Sequence, residues 1–157
     1  MNGARAWRLA GALCGLVVIL DQAAKALIEA NLAVGEKVDV IGPLDLTLSH
    51  NSGVAFGLAS GGGTRLVLVT VLALGVVGYL FFRDPTRPGM WVAAGLLAGG
   101  ALGNLADRIR ADAVTDYVLI GSWPAFNLAD VSVTLGVLLL AFVFVREPQA
   151  GEGRESG

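Results

Sequence analysis

Cysteine and histidine are nearly missing from this chain of 157 residues, which holds one of each, Cys14 and His50. A lone cysteine excludes an intrachain disulfide and any CxxC metal or redox pair, and one histidine cannot build a zinc centre. No metal and no cofactor is therefore expected. Charge is scarce too, at 15% of residues, with 11 Lys and Arg against 13 Asp and Glu. The resulting net charge of -2 supplies no basic field for a phosphate backbone, so nucleic acid is not expected as a partner. What fills the chain is apolar: 55% of residues are hydrophobic and the mean hydropathy is +0.70, well above that of a soluble domain. The chain reads as an α-helical integral membrane protein, and its chemistry has to come from carboxylates, amides and a few Lys or Arg.

Four apolar runs lie between the charges: Leu9 to Leu20, extendable to Ile28 if Asp21 and Lys25 are tolerated, then Leu66 to Phe82, Pro88 to Ala106, and Val131 to Val145. A helix rises about 1.5 Å per residue and must cross roughly 30 Å of hydrocarbon, so about twenty residues are needed per span. Four transmembrane helices are predicted, at about 7–28, 66–82, 88–106 and 129–145, within one domain of residues 1–146. Arg5, Arg8, Arg83, Arg87, Arg146 and Arg154 then fall on one side of the membrane, against Lys37, Arg65, Arg108 and Arg110 on the other. The positive-inside rule places the first group, and both termini, in the cytoplasm. A cleaved secretory signal would also begin with Arg5 and Arg8 and end in small residues such as Ala23, Ala24 and Ala26. Asp21 and Lys25 argue against it, since they stand where a signal wants neutral residues and share one helix face at i, i+4.

Between the first two spans, Leu44, Leu46 and Leu48 alternate with Asp45, Thr47 and Ser49, the pattern of a strand with one apolar face. A turn at Gly42-Pro43 and a partner strand near Val38 to Ile41 complete a small extracytoplasmic β-sheet, in an outer β region at about 36–57. Gly53 and Gly57 around Phe56 suggest a turn or a close backbone approach, and Trp123-Pro124 with Phe126 an aromatic anchor at the interface. Residues 147–157, rich in Gly, Glu and Ser, are expected to be a disordered tail.

An ionisable group inside the membrane costs roughly 2.5–3.5 kcal/mol at a helix centre, so each needs a partner or a role. Asp21 has Lys25 one turn on; Arg108 neighbours Asp107 and precedes Asp112 by one turn. Asp116 and Asp130 differ, because the positions three and four residues to either side of each hold no basic residue. Two such carboxylates can coexist by sharing a proton, one acting as base and the other as acid. That pair is what hydrolysis of an amide by activated water needs. Asp130 could equally be a cap or dipole partner of the fourth helix. Asn51, Asn104 and Asn127 sit at edges of the apolar runs, where amides can orient carboxylates or hold a substrate backbone, or serve in turns and interhelical bonds.

Five segments, taken in order, resemble the lipoprotein signal peptidase (signal peptidase II) family of bacterial membrane aspartic proteases: Asp21-Gln22-Ala23-Ala24-Lys25, His50 to Gly57, Gly99 to Arg108, Val114-Thr115-Asp116-Tyr117, and Trp123 to Asp130. The resemblance runs from Asp21 to about Gly136. It implies a catalytic dyad at Asp116 and Asp130, braced or lined by Asp21, Lys25, Asn51, Gly53, Asn104, Arg108, Asn127 and Ala129. It also implies the substrate, a diacylglyceryl-modified prolipoprotein cut just before its lipidated cysteine. The expected setting is the bacterial inner membrane, with membrane lipids as partners, the site near the outer face and the protein a monomer. Two departures stand out: Val54 where Ala is more typical, and a short stretch between the aspartates, fourteen positions from Asp116 to Asp130, in a loop expected to close over substrate. A proton-coupled transporter using Asp107, Asp116 and Asp130 as a relay, or a noncatalytic scaffold, are the competing classes.

Overall fold

The computed structural model describes residues 1–53 and 62–145. Val54 to Gly57 of the second segment, the end of the β region, Arg146, Arg154 and the tail 147–157 lie outside the described residues. The order of elements is α1 (Gly3–Asn31), β1 (Lys37–Ile41), β2 (Leu44–Asn51), α2 (Gly62–Arg83), α3 (Met90–Ala111), β3 (Val114–Ile120) and α4 (Leu128–Val145). The four apolar runs are helical except for Pro88 and Gly89, which turn into α3, and α1 continues straight through Asp21 and Lys25. It starts where Asn2 Oδ1 accepts from Arg5 N at 2.9 Å, an N-cap. Arg5 and Arg8 therefore belong to this helix and not to a charged flank ahead of it.

α1, the stretch Thr64–Arg83 of α2, and α4 are each long and apolar enough to cross a membrane. α3 is as long as α2 but is diluted by glycine and ends in Asn104, Asp107, Arg108 and Arg110. Those glycines have a purpose, because α3 is the helix on which the other three pack. A Cβ on Gly95 would meet Ala10 O at 3.0 Å, one on Gly99 would meet Cys14 O at 2.9 Å, and one on Gly103 would meet Asp21 Oδ2 at 2.7 Å. Small residues at i, i+4, i+8 thus bring α3 onto the backbone of α1, with the two helices running in the same direction. On its other side Gly100 abuts Ala129 O, and Gly136 of α4 abuts Leu97, so α4 runs the opposite way. Trp7 of α1 meets Phe81 of α2 with ring centroids 4.5 Å apart, which sets α2 antiparallel to α1.

The alternating stretch forms β2, paired antiparallel with β1 through the turn at Gly42-Pro43. The sheet has a third strand that the alternation does not reveal: β3 pairs with β2, giving the order β1-β2-β3. As the central strand, β2 buries Thr47 beside Leu48 instead of a single leucine face, and the Thr47 hydroxyl donates to Glu36 O at 2.7 Å. After β3 the chain turns at Gly121 and returns at once: Phe126 bridges Val118, donating to Val118 O at 3.0 Å. The short stretch before α4 is thereby a closed hairpin-like return that delivers Asn127 to the start of the helix.

Candidate active site

Asp116 lies on β3, where Asn51 of β2 faces Val114 and Ser49 faces Asp116. Residues two apart on a strand share a face, so Asn51 and Asp116 are diagonal neighbours. Asn51 Nδ2 accordingly donates to Asp116 Oδ2 at 3.1 Å. The same asparagine accepts at Oδ1 from Gly53 N at 2.9 Å, a side-chain turn that the glycine completes at φ +78°, a left-handed conformation open to it without strain. Burial pushes the Asp116 carboxyl up to about 6; the Asn51 bond pulls against this, the nearby charge of Asp130 adds to it, and Asn127 and Lys25 pull it down.

Asp130 is fixed by a reciprocal cap at the start of α4. Asn127 Oδ1 accepts from Asp130 N at 2.9 Å while Asp130 Oδ2 accepts from Asn127 N at 3.2 Å, a capping box in which Asp takes the place of Glu or Gln. Asp130 is therefore the cap partner of the fourth helix, and the cap fixes where its carboxylate points. The two N–H groups before it are met from elsewhere: Leu128 N donates to the Tyr117 hydroxyl at 3.2 Å, and Ala129 N to Asp21 Oδ1 at 3.0 Å. Burial of Tyr117 pushes its phenol up, so it stays protonated at neutral pH. Asp130 Oδ1 accepts from Asn104 Nδ2 at 2.8 Å.

Asn127, fully buried, joins the two aspartates. Its Nδ2 donates to Asp116 Oδ1 at 2.7 Å, and weaker contacts reach Asn104 Oδ1 at 3.1 Å and Thr115 O at 3.3 Å. Behind it lies Lys25, 3% exposed, whose ammonium meets Asp21 Oδ2 at 2.8 Å, Asp107 Oδ2 at 2.6 Å and Asn104 Oδ1 at 2.9 Å. Three donors meet three acceptors, which is what makes a buried ammonium tolerable. Among the described residues the ion pairs are these two on Lys25, so Asp116 and Asp130 are held by amides and not by a cation. The bond from Lys25 also fixes which end of the Asn104 amide faces Asp130: the oxygen turns to the ammonium and the NH2 to the carboxylate.

Asp21, Lys25, Asn51, Gly53, Asn104, Asn127 and Ala129 thus converge with the two aspartates through hydrogen bonds. Arg108 is half-buried, within electrostatic range of Asp130, Asp116 and Asp107. The expected pairing of Asp107 with its neighbour Arg108 is replaced by Lys25 from α1, because successive residues on a helix point apart while Asp107 faces α1. Asp112, expected to draw on Arg108 as well, instead ends α3 in a left-handed conformation. Gln22, which carries no charge to mark it, is a further member of the network. Its Nε2 donates to Asp107 Oδ1 at 2.8 Å and Gly103 O at 3.2 Å, and its Oε1 accepts from Arg110 Nη1 at 2.6 Å. Glu29 is another, since its Oε1 accepts from Thr115 Oγ1 at 2.6 Å beside Asp116.

The model for the signal peptidase (SPase) II family matches residues 13–146 of this chain. The chain belongs to the signal peptidase II family. It is 38% identical over 146 residues to the lipoprotein signal peptidase of Pelotomaculum thermopropionicum, covering 91% of this chain and 95% of the relative. Likeness to the lipoprotein signal peptidase of Moorella thermoacetica is 39% over 142 residues, covering 89% and 94%. A bacterial membrane enzyme solved by the in meso method at 1.9 Å superposes with a TM-score of 0.82 at 34% identity, over 88% of this chain and 94% of that one. Another, at 2.3 Å, gives 0.81 at 32% identity, over 94% of each. The protein is accordingly a peptidase of lipoprotein processing and a multi-pass bacterial membrane protein; neither the transporter nor the scaffold reading is favoured.

Proposed function

We propose that this signal peptidase II cuts diacylglyceryl-modified prolipoproteins just before the lipidated cysteine, with Asp116 and Asp130 activating water. The observation that carries the reading is Asn127, one buried residue bonded to both carboxylates. Asp116 holds the shared proton, because burial disfavours its ionised form. Asp130, in the first turn of α4, is the base, where the helix N-terminus favours negative charge. Water attacks the scissile carbonyl carbon as Asp130 takes its proton and Asp116 gives its own to the carbonyl oxygen. The tetrahedral intermediate collapses with return of that proton to Asp116. Asp130 passes the water proton to the leaving nitrogen, the C–N bond breaks, and a carboxyl end and the new amino terminus of the cysteine separate. Asp21, Lys25, Asn51, Gly53, Asn104, Arg108, Asn127 and Ala129 brace the dyad or line the site, and no cofactor is invoked.

In this reading α3 is a fourth span, since it sits among three membrane-capable helices and its 22 residues reach about 33 Å at 1.5 Å each. Arg5, Arg8, Arg83 and Arg87 then mark the cytoplasmic ends and place both termini inside, with the carboxylates near the outer face of the inner membrane. A monomer suffices, because both aspartates and their supports come from one chain. The test is a gel-shift assay in detergent on a lipidated prolipoprotein and its unlipidated form, with wild type, Asp116→Asn and Asp130→Asn. Cleavage of the lipidated form alone, lost by about 10³-fold or more in either folded variant, is expected. Cleavage that persists in both variants moves the chemistry elsewhere.

A further inference from the structure

The first half of α4 has two faces. Ala129, Ser132 and Gly136 are buried, while Val131, Thr134 and Leu135 are exposed on the other side. Asp130 stands between the two, on the rim of a groove of about 280 Å³ lined by Val131, Thr134 and Leu135 and by Trp123 and Phe126 of the return after β3. Its walls are set by the fold. Phe126 N donates to Val118 O at 3.0 Å, Val118 N donates to Phe126 O at 2.8 Å, and Trp123 N donates to Ile120 O at 3.0 Å, so both rings hang from a bonded backbone. Thr134 carries the one hydroxyl in this lining and donates it to Asp130 O at 2.8 Å, on its own helix. What remains polar is the Asp130 carboxylate and the indole N–H of Trp123, which is 69% exposed. An amphipathic ring of this kind suits the level where an acyl chain meets its headgroup.

We propose that this groove seats one acyl chain of the substrate's diacylglyceryl group, with the glycerol beside Asp130 and Trp123. The proposal rests on the function proposed above and adds to it the place where the lipid is read. A peptide segment is the poorer occupant, because its backbone N–H and C=O groups would meet side chains without free donors or acceptors, a costly arrangement in hydrocarbon. An acyl chain has no such groups. α4 is also apolar enough to span the membrane, so its exposed face meets lipid and a chain can enter the groove without leaving the bilayer. The chemistry points the same way. The lipid hangs on the cysteine whose nitrogen leaves, and in the proposed mechanism Asp130 returns the proton to that nitrogen. The chain must then emerge on the Asp130 side of the dyad, and Asp130, not Asp116, is in the lining.

Cleavage by the full chain in mixed micelles of fixed composition tests the proposal, on prolipoproteins carrying a dipalmitoylglyceryl or a dihexanoylglyceryl group at the cysteine. Wild type should favour the long-chain form by about tenfold in kcat/KM, chiefly through KM. Leu135→Trp, which fills the groove from a position 52% exposed, should bring that ratio to within about twofold. Trp123→Ala, which removes one wall, should lower it by a smaller factor. Leu72→Trp, the same change at an exposed position of α2 outside the groove, should keep the wild-type ratio. A wild-type ratio in Leu135→Trp or Trp123→Ala overturns the groove, and if both lipidated forms are then cut equally more slowly the peptide is its occupant. Collapse of the ratio in Leu72→Trp as well overturns it in favour of general partitioning into the micelle. If wild type cuts both lipidated forms equally and spares the unlipidated one, the proposed function stands and the groove falls. If it cuts neither lipidated form, that function falls and the groove with it.

Discussion

At the carboxylate end of the bundle, order comes from polar groups: Lys25 joins α1 to α3, Asp21 joins α1 to the first turn of α4, and Asn127 joins α4 to β3. At the opposite end, Ala6, Ala10, Phe81, Met90, Ala94 and Val143 form an apolar core in which all four helices meet mainly by packing. Apolar packing is tolerant of small shifts, since Leu, Met and Phe repack at modest cost. Hydrogen bonds are directional, and a buried one that misses its partner costs about 1–3 kcal/mol. The proposed reaction, which must place two carboxylates around one water molecule, would thus have its directional network at the reacting end, with apolar packing serving for the rest.

Replacing Lys25 by Met should have the largest effect on that contrast. The side chain would still fill its space, but Asp21 and Asp107 would lose their shared cation and Asn104 the donor that sets its orientation. Breaking a buried pair from one side costs about 3–5 kcal/mol, so a marked fall in melting temperature is expected, together with loss of cleavage. An unchanged melt would mean that packing, and not the ammonium, holds the two helices together there. Glycines give a smaller and cleaner comparison. Gly103→Ala puts a methyl 2.7 Å from Asp21 Oδ2 and should cost about 1–3 kcal/mol by overpacking, whereas Gly78→Ala in α2 meets nothing within 4 Å. Gly78→Ala should be neutral or stabilise by up to about 1 kcal/mol through better helix propensity, as read by thermal denaturation in detergent. Similar losses at both positions would remove the distinction between a tight α1–α3 contact and a loosely held α2.

How much of this was legible depended on whether the signal was local. Asp21 and Lys25 are four residues apart on one helix, so their pairing could be read directly from spacing, as could the strand that alternates from Leu44. The absence of a nearby base around Asp116 and Asp130 was equally visible, and their being held by amides follows it. Long-range partners were not. Lys25 reaches Asp107 on another helix, and neither Gln22 nor Glu29 carries any mark that distinguishes it from a surface residue. β3 escaped because its pattern, Val114 to Ile120, places Asp116 among apolar residues without alternation, as in a strand covered on both sides. The end of α3 was hidden for a related reason: its polar residues look like loop in a hydropathy reading, but the helix runs on to Ala111 and Asp107 and Arg110 bond to α1.

Asn51 offers the finest test, because it acts on Asp116 from the sheet and not from the helices. Its amide donates to Asp116 Oδ2, a bond that favours the ionised carboxylate and so opposes the burial that pushes this group up to about 6. With Asp116 as the proton carrier, activity should fall as pH rises through that value. Asn51→Ala removes the bond, the protonated form then persists further, and the alkaline limb of kcat/KM should move to higher pH by about one pH unit. Stability follows the same sign. A raised carboxyl binds a proton in the folded state that the unfolded chain has released, so folding weakens as pH rises from the unfolded value near 3.8 through about 6. In Asn51→Ala that loss should extend to higher pH, making the variant less stable at pH 7 relative to wild type than at pH 4. A variant that loses turnover while keeping the wild-type limb would show that Asn51 supports the Gly53 turn alone. The group titrating near 6 would then have to be sought away from Asp116.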